Sequence, residues 1–223
     1  MTQPGMDWDA AYRQDTPPPW SIGRPQPELA ALIDQGKVCS DVLDAGCGHA
    51  ELSLALAALG YTVVGLDASA TAVAAATTAA AERGLTTATF AQADVTAFRG
   101  YDGRFSTILD SGLFHVLRPE QRQDYLQSIL RAAAPGAALY ILAFAAGALG
   151  HQGDRPGPRG LTEAELRDAV AEQWEVEDVR PAKLYGNAGA LGAVGGSVPD
   201  VQHDDEGHFL APGFLLSAHK PGQ

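Results

Sequence analysis

The sequence predicts an α/β protein: a doubly wound, mainly parallel sheet of seven strands with an antiparallel edge strand. Three observations predict it. Apolar runs of strand length alternate with amphipathic or alanine-rich runs of helix length. The first strand turns into its helix through two glycines, in Val42-Leu-Asp-Ala-Gly-Cys-Gly48. Four successive strands end in an Asp or an Asp-led turn, at Asp44, Asp67, Asp94 and Asp110.

Each element has its own signal. Residues 1–26 are polar and proline-rich, but Trp8, Tyr12 and Trp20 among them argue for an arm that packs. Pro27 opens a helix running to Gln35, because proline suits a first helical turn. Strand 41–45, helix 50–59, strand 62–67, helix 69–83 and strand 88–92 follow, with Gly84 stopping the second of these helices. The alanine run from Ala72 to Ala81 reads as scaffold, alanine being the best helix former. Strand 105–110 precedes helix 119–133, opened by Pro119, and Pro135-Gly136 turns into strand 138–144. After a glycine-rich loop, 145–160, Thr162-Glu-Ala-Glu165 forms a capping box for helix 163–173. Strands 174–180 and 213–219 flank a second glycine-rich loop, 186–212. With no helix between them they should form an antiparallel hairpin at the sheet edge, whereas every earlier crossover contains a helix or a long connection. No repeat or second domain is visible, so residues 1–223 read as one domain.

Composition narrows the partners. The chain has 223 residues, enough for a large single core, with 46% hydrophobic and 19% charged residues. A net charge of −12 argues against attraction to nucleic-acid phosphates. No apolar run is long enough to span a bilayer, so no membrane partner is expected. The N-terminus lacks the basic segment and apolar core of a secretory signal. Two cysteines, Cys39 and Cys47, fit a reduced cytoplasmic location, Cys47 as a small packing residue in the glycine turn.

The glycine turn carries the chemistry. Gly46 and Gly48 let backbone approach a ligand that a Cβ would block. A dinucleotide fingerprint would need a third glycine where Glu51 stands, and a carboxylate there repels a pyrophosphate but suits a cationic ligand. A nicotinamide enzyme is therefore disfavoured. Asp67 falls about 20 residues further on, where a nucleotide-type site places the acid that accepts from ribose hydroxyls. Taken singly, each strand-end Asp could be a helix cap, which does not explain all four.

Asp44-Ala-Gly-Cys-Gly48 resembles the first motif of class I S-adenosylmethionine-dependent methyltransferases. That resemblance implies S-adenosyl-L-methionine as cofactor, with Asp44, Gly46, Gly48 and Glu51 around its methionine end. It implies Asp67 and Ala68 at the ribose, Asp94 at the adenine amino group with Val95 against the ring, and Asp110 and Ser111 among the further cofactor-binding residues. Trp8, Tyr12 and Pro18-Pro-Trp20-Ser-Ile-Gly23 are similar to the entry segment of the thiopurine, thiol and halide methyltransferase group, whose arm, here with Trp20, folds over the cofactor. The chain further resembles the mycobacterial heterocyclic toxin methyltransferases, in Pro25-Gln-Pro-Glu-Leu29, Tyr101-Asp-Gly-Arg-Phe105, Leu113-Phe-His115, Arg131-Ala-Ala-Ala-Pro-Gly136 and Leu215-Leu-Ser-Ala-His219. This covers nearly the whole chain and weakens in 145–160 and 186–212.

The resemblance implies methyl transfer to O, or less readily N or S, of a small aromatic heterocycle such as a hydroxyquinolone. A thiol or halide methyltransferase and a non-catalytic cofactor-binding domain are the alternatives. His115, just past the fourth strand, is the candidate base or acceptor-orienting group, and Tyr185 a second catalytic candidate. Trp8, Tyr12, Phe114 and Phe144 are expected as apolar walls of the acceptor pocket. His151, His203 and His208 have no Cys or His at metal-site spacing, so no metal is expected. The proline-aromatic motif that grips a flipped base is missing after the fourth strand, where Asp110-Ser-Gly-Leu113 stands.

Overall fold

The computed structural model describes residues 7–148, 160–191 and 202–222. His151 and the middles of both glycine-rich loops lie outside the described residues. The core strands form as the periodicity predicts: β1 (Val42–Ala45), β2 (Val63–Asp67), β3 (Ala88–Gln92) and β4 (Phe105–Ser111). Between them run α3 (Glu51–Ala58) and α4 (Ala70–Glu82), preceded by α1 (Trp8–Tyr12) and α2 (Pro27–Asp34). A 3-10 turn (Phe114–Val116), α5 (Pro119–Ala132), β5 (Ala133–Phe144), α6 (Glu163–Ala171), β6 (Glu175–Asn187), α7 (Ala188–Leu191) and β7 (His208–His219) complete the described chain.

The seven strands form one sheet in the order β3-β2-β1-β4-β5-β7-β6. β1 to β5 are parallel, and β7 runs antiparallel to both β5 and β6. The expected hairpin closes the sheet, with β7 inserted inside β6. Strand order reverses between β1 and β4, whose ends pair at Ala45 and Asp110. A doubly wound sheet opens its ligand crevice at such a switch point.

Two apolar layers fix the sheet. Leu43, Val64, Leu66 and Ile108 face Tyr125, Leu126 and Ile129 of α5 and Leu166 and Val170 of α6. On the other side Val42, Val63, Leu109 and Leu142 meet Leu29 and Leu32 of α2 and Leu52 and Leu56 of α3. α4 buries only Ala72, Ala76 and Ala80, a four-residue stripe of small side chains that lets the helix lie close on its neighbours. Cys39 and Cys47 are both free thiols, Cys47 buried. Among the described residues no helix is long and apolar enough to cross a membrane.

Three differences from the sequence reading have physical causes. β5 begins at Ala133, because a bulge between Phe105 and Thr107 carries the pairing across Pro135-Gly136. β6 and β7 run well into the expected loop, to Asn187 and from His208. Gly186 and Gly213 do not break them: the Phe209 ring lies over Gly186 and the Leu184 side chain over Gly213, each filling the missing Cβ position. Thirdly, α1 forms inside the arm, N-capped by Asp7, whose carboxylate accepts from Ala10 N–H at 3.0 Å.

Candidate active site

The glycine turn folds because β1 must reverse into α3 within a few residues. Gly46 and Gly48 take φ of +72° and +53°, and Ala50 follows at +64°. A Cβ on Gly46 would lie 3.0 Å from Leu113 Cβ, and one on Gly48 2.5 Å from the Tyr12 hydroxyl. Both glycines are therefore required by close neighbours as well as by backbone angle.

Acids converge here. Asp44 is 1% exposed and accepts from the Ser53 hydroxyl at 2.6 Å. Burial pushes its pKa up to about 7, against the hydrogen bond from Ser53 and with help from the nearby Glu51 charge. Asp67 accepts from Gly48 N–H at 2.9 Å with one oxygen and from Ser69 N–H at 2.8 Å with the other. Burial raises its pKa as well. Each oxygen retains a lone pair for a further donor.

The arm closes over this turn. Asp9 accepts from the Ser69 hydroxyl at 2.6 Å and from Thr71 N–H at 3.0 Å, fastening α1 to the start of α4. Those bonds lower its pKa to about 2. Trp20 Nε1 donates to the Tyr12 hydroxyl at 2.9 Å, Trp8 packs edge-on against Trp20, and Tyr12 packs edge-on against His49. Gln26 holds both backbone groups of Tyr185, accepting at 2.8 Å and donating at 2.9 Å. Arg24 pairs with Asp204 and Glu206 and lies 6.0 Å from the Tyr185 ring centre.

Between arm and turn is a cleft with about 430 Å³ of empty space, part of it open to solvent. Tyr12, Trp20, Asp44, Gly46, Gly48, Glu51 and Ser111 line it, all of them expected from the sequence. So do Ser21, Arg24, Gln26 and His49, which sequence reasoning passed over. His49 stood inside the glycine motif, and its Nδ1 lies 3.3 Å from the Ser21 hydroxyl. Asp94 lines a separate cleft with Leu66, Phe98 and Tyr101, and holds Thr96 through its carboxylate. Val95 is buried, Ala68 exposed.

Two expected contact residues are fully buried in the structure. Asp110 is fully buried beneath the crevice, accepting from Leu113 N–H, Phe114 N–H and Tyr125 Oη at 2.8, 3.2 and 2.9 Å. Burial pushes its pKa up to about 7. With three donors around it, Asp110 shapes the Ser111–Phe114 turn. Phe114 is also fully buried, its ring 6.1 Å from that of Tyr125, so it packs in the core and walls no pocket.

His115 is 6% exposed, its ring centre 4.6 Å from that of Phe144. Its Nδ1 accepts from Phe144 N–H at 3.3 Å. Burial, and then the Arg122 charge, push its pKa down to about 3. Away from the cleft centre, Asp204, Glu206 and His208 bring ligand-type atoms within 4.8 Å of one another, a cluster not anticipated for His208. Arg24 already pairs with both of its acids.

An anionic glycine cradle at the switch point, with no third glycine for a pyrophosphate, suits a ligand bearing sulfonium and ammonium charges. That combination fits a class I S-adenosylmethionine-dependent methyltransferase, and the comparisons with known proteins show the family. A methyltransferase-domain family profile matches residues 42–136. A 2-heptyl-1-hydroxyquinolin-4(1H)-one methyltransferase of Mycobacteroides abscessus is 48% identical, over 99% of this chain and all of its own. A solved structure concerned with conversion of a disulfide bond into a thioacetal group during echinomycin biosynthesis is 33% identical with a TM-score of 0.78. It covers 95% of this chain and 90% of its own. The fold is shared by the 1,6-didemethyltoxoflavin-N1-methyltransferase of Burkholderia thailandensis, at TM-score 0.59 and 21% identity over 95% of this chain and 79% of that one. The chain belongs to the methyltransferase family, and S-adenosyl-L-methionine is its methyl donor.

Proposed function

We propose that this protein methylates oxygen on a small aromatic heterocycle of the hydroxyquinolone kind. The observation that carries the acceptor class is the 48% identity, end to end, with a methyltransferase acting on 2-heptyl-1-hydroxyquinolin-4(1H)-one. Aromatic rings near the cleft support it: His115 and Phe144, beyond Ser111 in the fold, pack with ring centres 4.6 Å apart, and the arm carries Trp8, Tyr12 and Trp20.

The donor supplies a methyl already activated on sulfonium, so the protein's work is positioning and exclusion of water. Asp44 and Glu51 would draw the ammonium end, and Asp67 would accept from the ribose hydroxyls. Asp94 would meet the adenine amino group, with Val95 behind the ring. Tyr12 and Trp20 would close the arm over the donor, and Tyr185, fixed through Gln26, would border the acceptor.

The test is a radiolabelled methyl-transfer screen over hydroxyquinolones, phenols, small thiols and iodide. Hydroxyquinolones should be the preferred acceptors. Preference for a non-aromatic thiol or for iodide would overturn the acceptor assignment and leave fold and donor standing.

A further inference from the structure

We propose that the turn 204–208, remote in sequence from the glycine motif, is part of the methyl-donor site: it stations Arg24 of the arm in the cleft, where the guanidinium receives the carboxylate of the methyl donor's amino-acid end. Only the methyl donor is involved, so the acceptor class proposed above and the role of Arg24 can fail separately.

The need for a cation follows from charge. S-adenosyl-L-methionine carries an ammonium and a carboxylate on the same carbon. Asp44 and Glu51 line the cleft, and Asp67 accepts from Gly48 N–H of the same turn. A carboxylate brought there meets like charges and gives up water, which is costly unless a cation pairs with it. Among the described residues lining the cleft, the basic side chains are Arg24 and His49. His49 packs edge-on against Tyr12, its Nδ1 3.3 Å from the Ser21 hydroxyl. A guanidinium is always charged and meets a carboxylate with a planar fork, which an imidazole lacks.

Arg24 is placed by backbone and side chain together. Before it, Asn187 N–H of β6 donates to the Pro19 carbonyl at 2.7 Å; after it, Gln26 brackets both backbone groups of Tyr185. Its Nη2 lies 3.1 Å from Asp204 Oδ2 and 3.4 Å from Glu206 Oε2. Asp204 is held in turn. Its Oδ1 accepts from Glu206 N–H at 3.0 Å and His208 N–H at 2.8 Å, and His208 Nδ1 stands 3.0 Å from Oδ2. Burial alone would raise the Asp204 pKa, but the bonds from His208 and from Glu206 N–H bring it below the ordinary carboxylate value. The anchor therefore stays anionic at neutral pH.

Fastening the arm does not account for two acids gathered on one guanidinium. The Arg24 side chain is 41% exposed and that of Glu206 62%, and ion pairs this exposed hold little. Pro19 and Gln26 already fasten the segment to β6. What the two acids do is turn the fork. Both engage Nη2, so the N–H donors of Nε and Nη1 can serve a third carboxylate. Asp204 and Glu206 are thus positioning residues, and Arg24 is the group that touches the ligand.

Calorimetry with two ligands decides this: S-adenosylhomocysteine, and its decarboxylated analogue, which keeps the amine and lacks the carboxylate. Wild type, which needs no substitution to fold, should prefer S-adenosylhomocysteine even though the analogue suits an anionic cleft better by charge. Arg24→Met should weaken S-adenosylhomocysteine about 10–100-fold and leave the analogue unweakened. Arg24→Lys keeps the charge without the fork and should recover part of that loss. Asp204→Asn combined with Glu206→Gln should cost S-adenosylhomocysteine about 3–10-fold and the analogue nothing. A residue that merely held the arm shut would weaken both ligands alike. Equal losses for the two ligands in Arg24→Met, unchanged S-adenosylhomocysteine binding there, or a wild type that prefers the analogue would each overturn the proposal. So would a carboxylate preference that survives Arg24→Met and vanishes in His49→Gln.

Discussion

Replacing Asp110 by Asn should stabilise the ligand-free protein against wild type by more at pH 8 than at pH 5. Asp110 is fully buried, and burial raises its pKa from 3.8 to about 7. A raised folded-state pKa means that the neutral acid is the form the fold prefers. Its stability contribution is complete below the unfolded pKa and is lost as pH rises through the folded one. The window is therefore about pH 4 to 7. At about 1.36 kcal/mol per pKa unit, linkage gives a loss of about 2.5 kcal/mol between pH 5 and pH 8 from this one group. Asn keeps the shape: its oxygen can accept from Leu113 and Phe114 N–H, while its amide can donate to the Tyr125 hydroxyl, which rotates to accept. It cannot ionise, so that loss disappears. Urea denaturation should show the variant's advantage over wild type growing by about 2.5 kcal/mol from pH 5 to pH 8, or roughly 5–10 °C in Tm for a chain of this size. The neighbouring Asp44, also raised to about 7, titrates in both proteins, and its charge contributes to the Asp110 shift. Parallel stability curves for the two proteins from pH 5 to 8 would show that Asp110 is ionised in the fold, and the reasoning would fail.

Asp67→Ala should weaken S-adenosylhomocysteine binding by about 1–3 kcal/mol in calorimetry, since two ribose hydroxyls lose a charged acceptor. An unchanged Kd in a folded variant would leave Asp67 as a clamp on Gly48 and Ser69 N–H and nothing more. Gly48→Ala sets a Cβ 2.5 Å from the Tyr12 hydroxyl at φ +53°, so the arm should lift. The expected signs are at least about tenfold weaker cofactor binding and faster proteolysis before Pro27; unaltered binding would refute arm closure over the turn. A chain starting at Pro27 should keep the circular dichroism of the sheet core yet lose most turnover, and full activity would make the arm a passive tail.

What the sequence made legible, and what it hid, divides by the range of the interactions involved. β1 to β4 fall within a residue or two of expectation because their signal is local: an apolar run, then an acid or glycine turn. Asp44, Gly46, Gly48 and Glu51 were readable for the same reason, being one motif on one turn. β6 and β7 were undercounted because Gly186 and Gly213 look like breaks until Phe209 and Leu184 are seen to fill them from other positions.

The roles past β4 were hidden by folding back. Asp110 looked like one more strand-end acid, yet Leu113, Phe114 and Tyr125, 3, 4 and 15 residues on, surround it with donors and bury it. That same turn delivers His115 to Phe144, 29 residues away, and a single backbone N–H there decides which ring nitrogen carries the proton. Residue type alone made His115 a candidate base. The partner behind the ring, which no local pattern encodes, occupies Nδ1 and leaves the proton of the neutral imidazole on Nε2, a placement that residue type alone could not give.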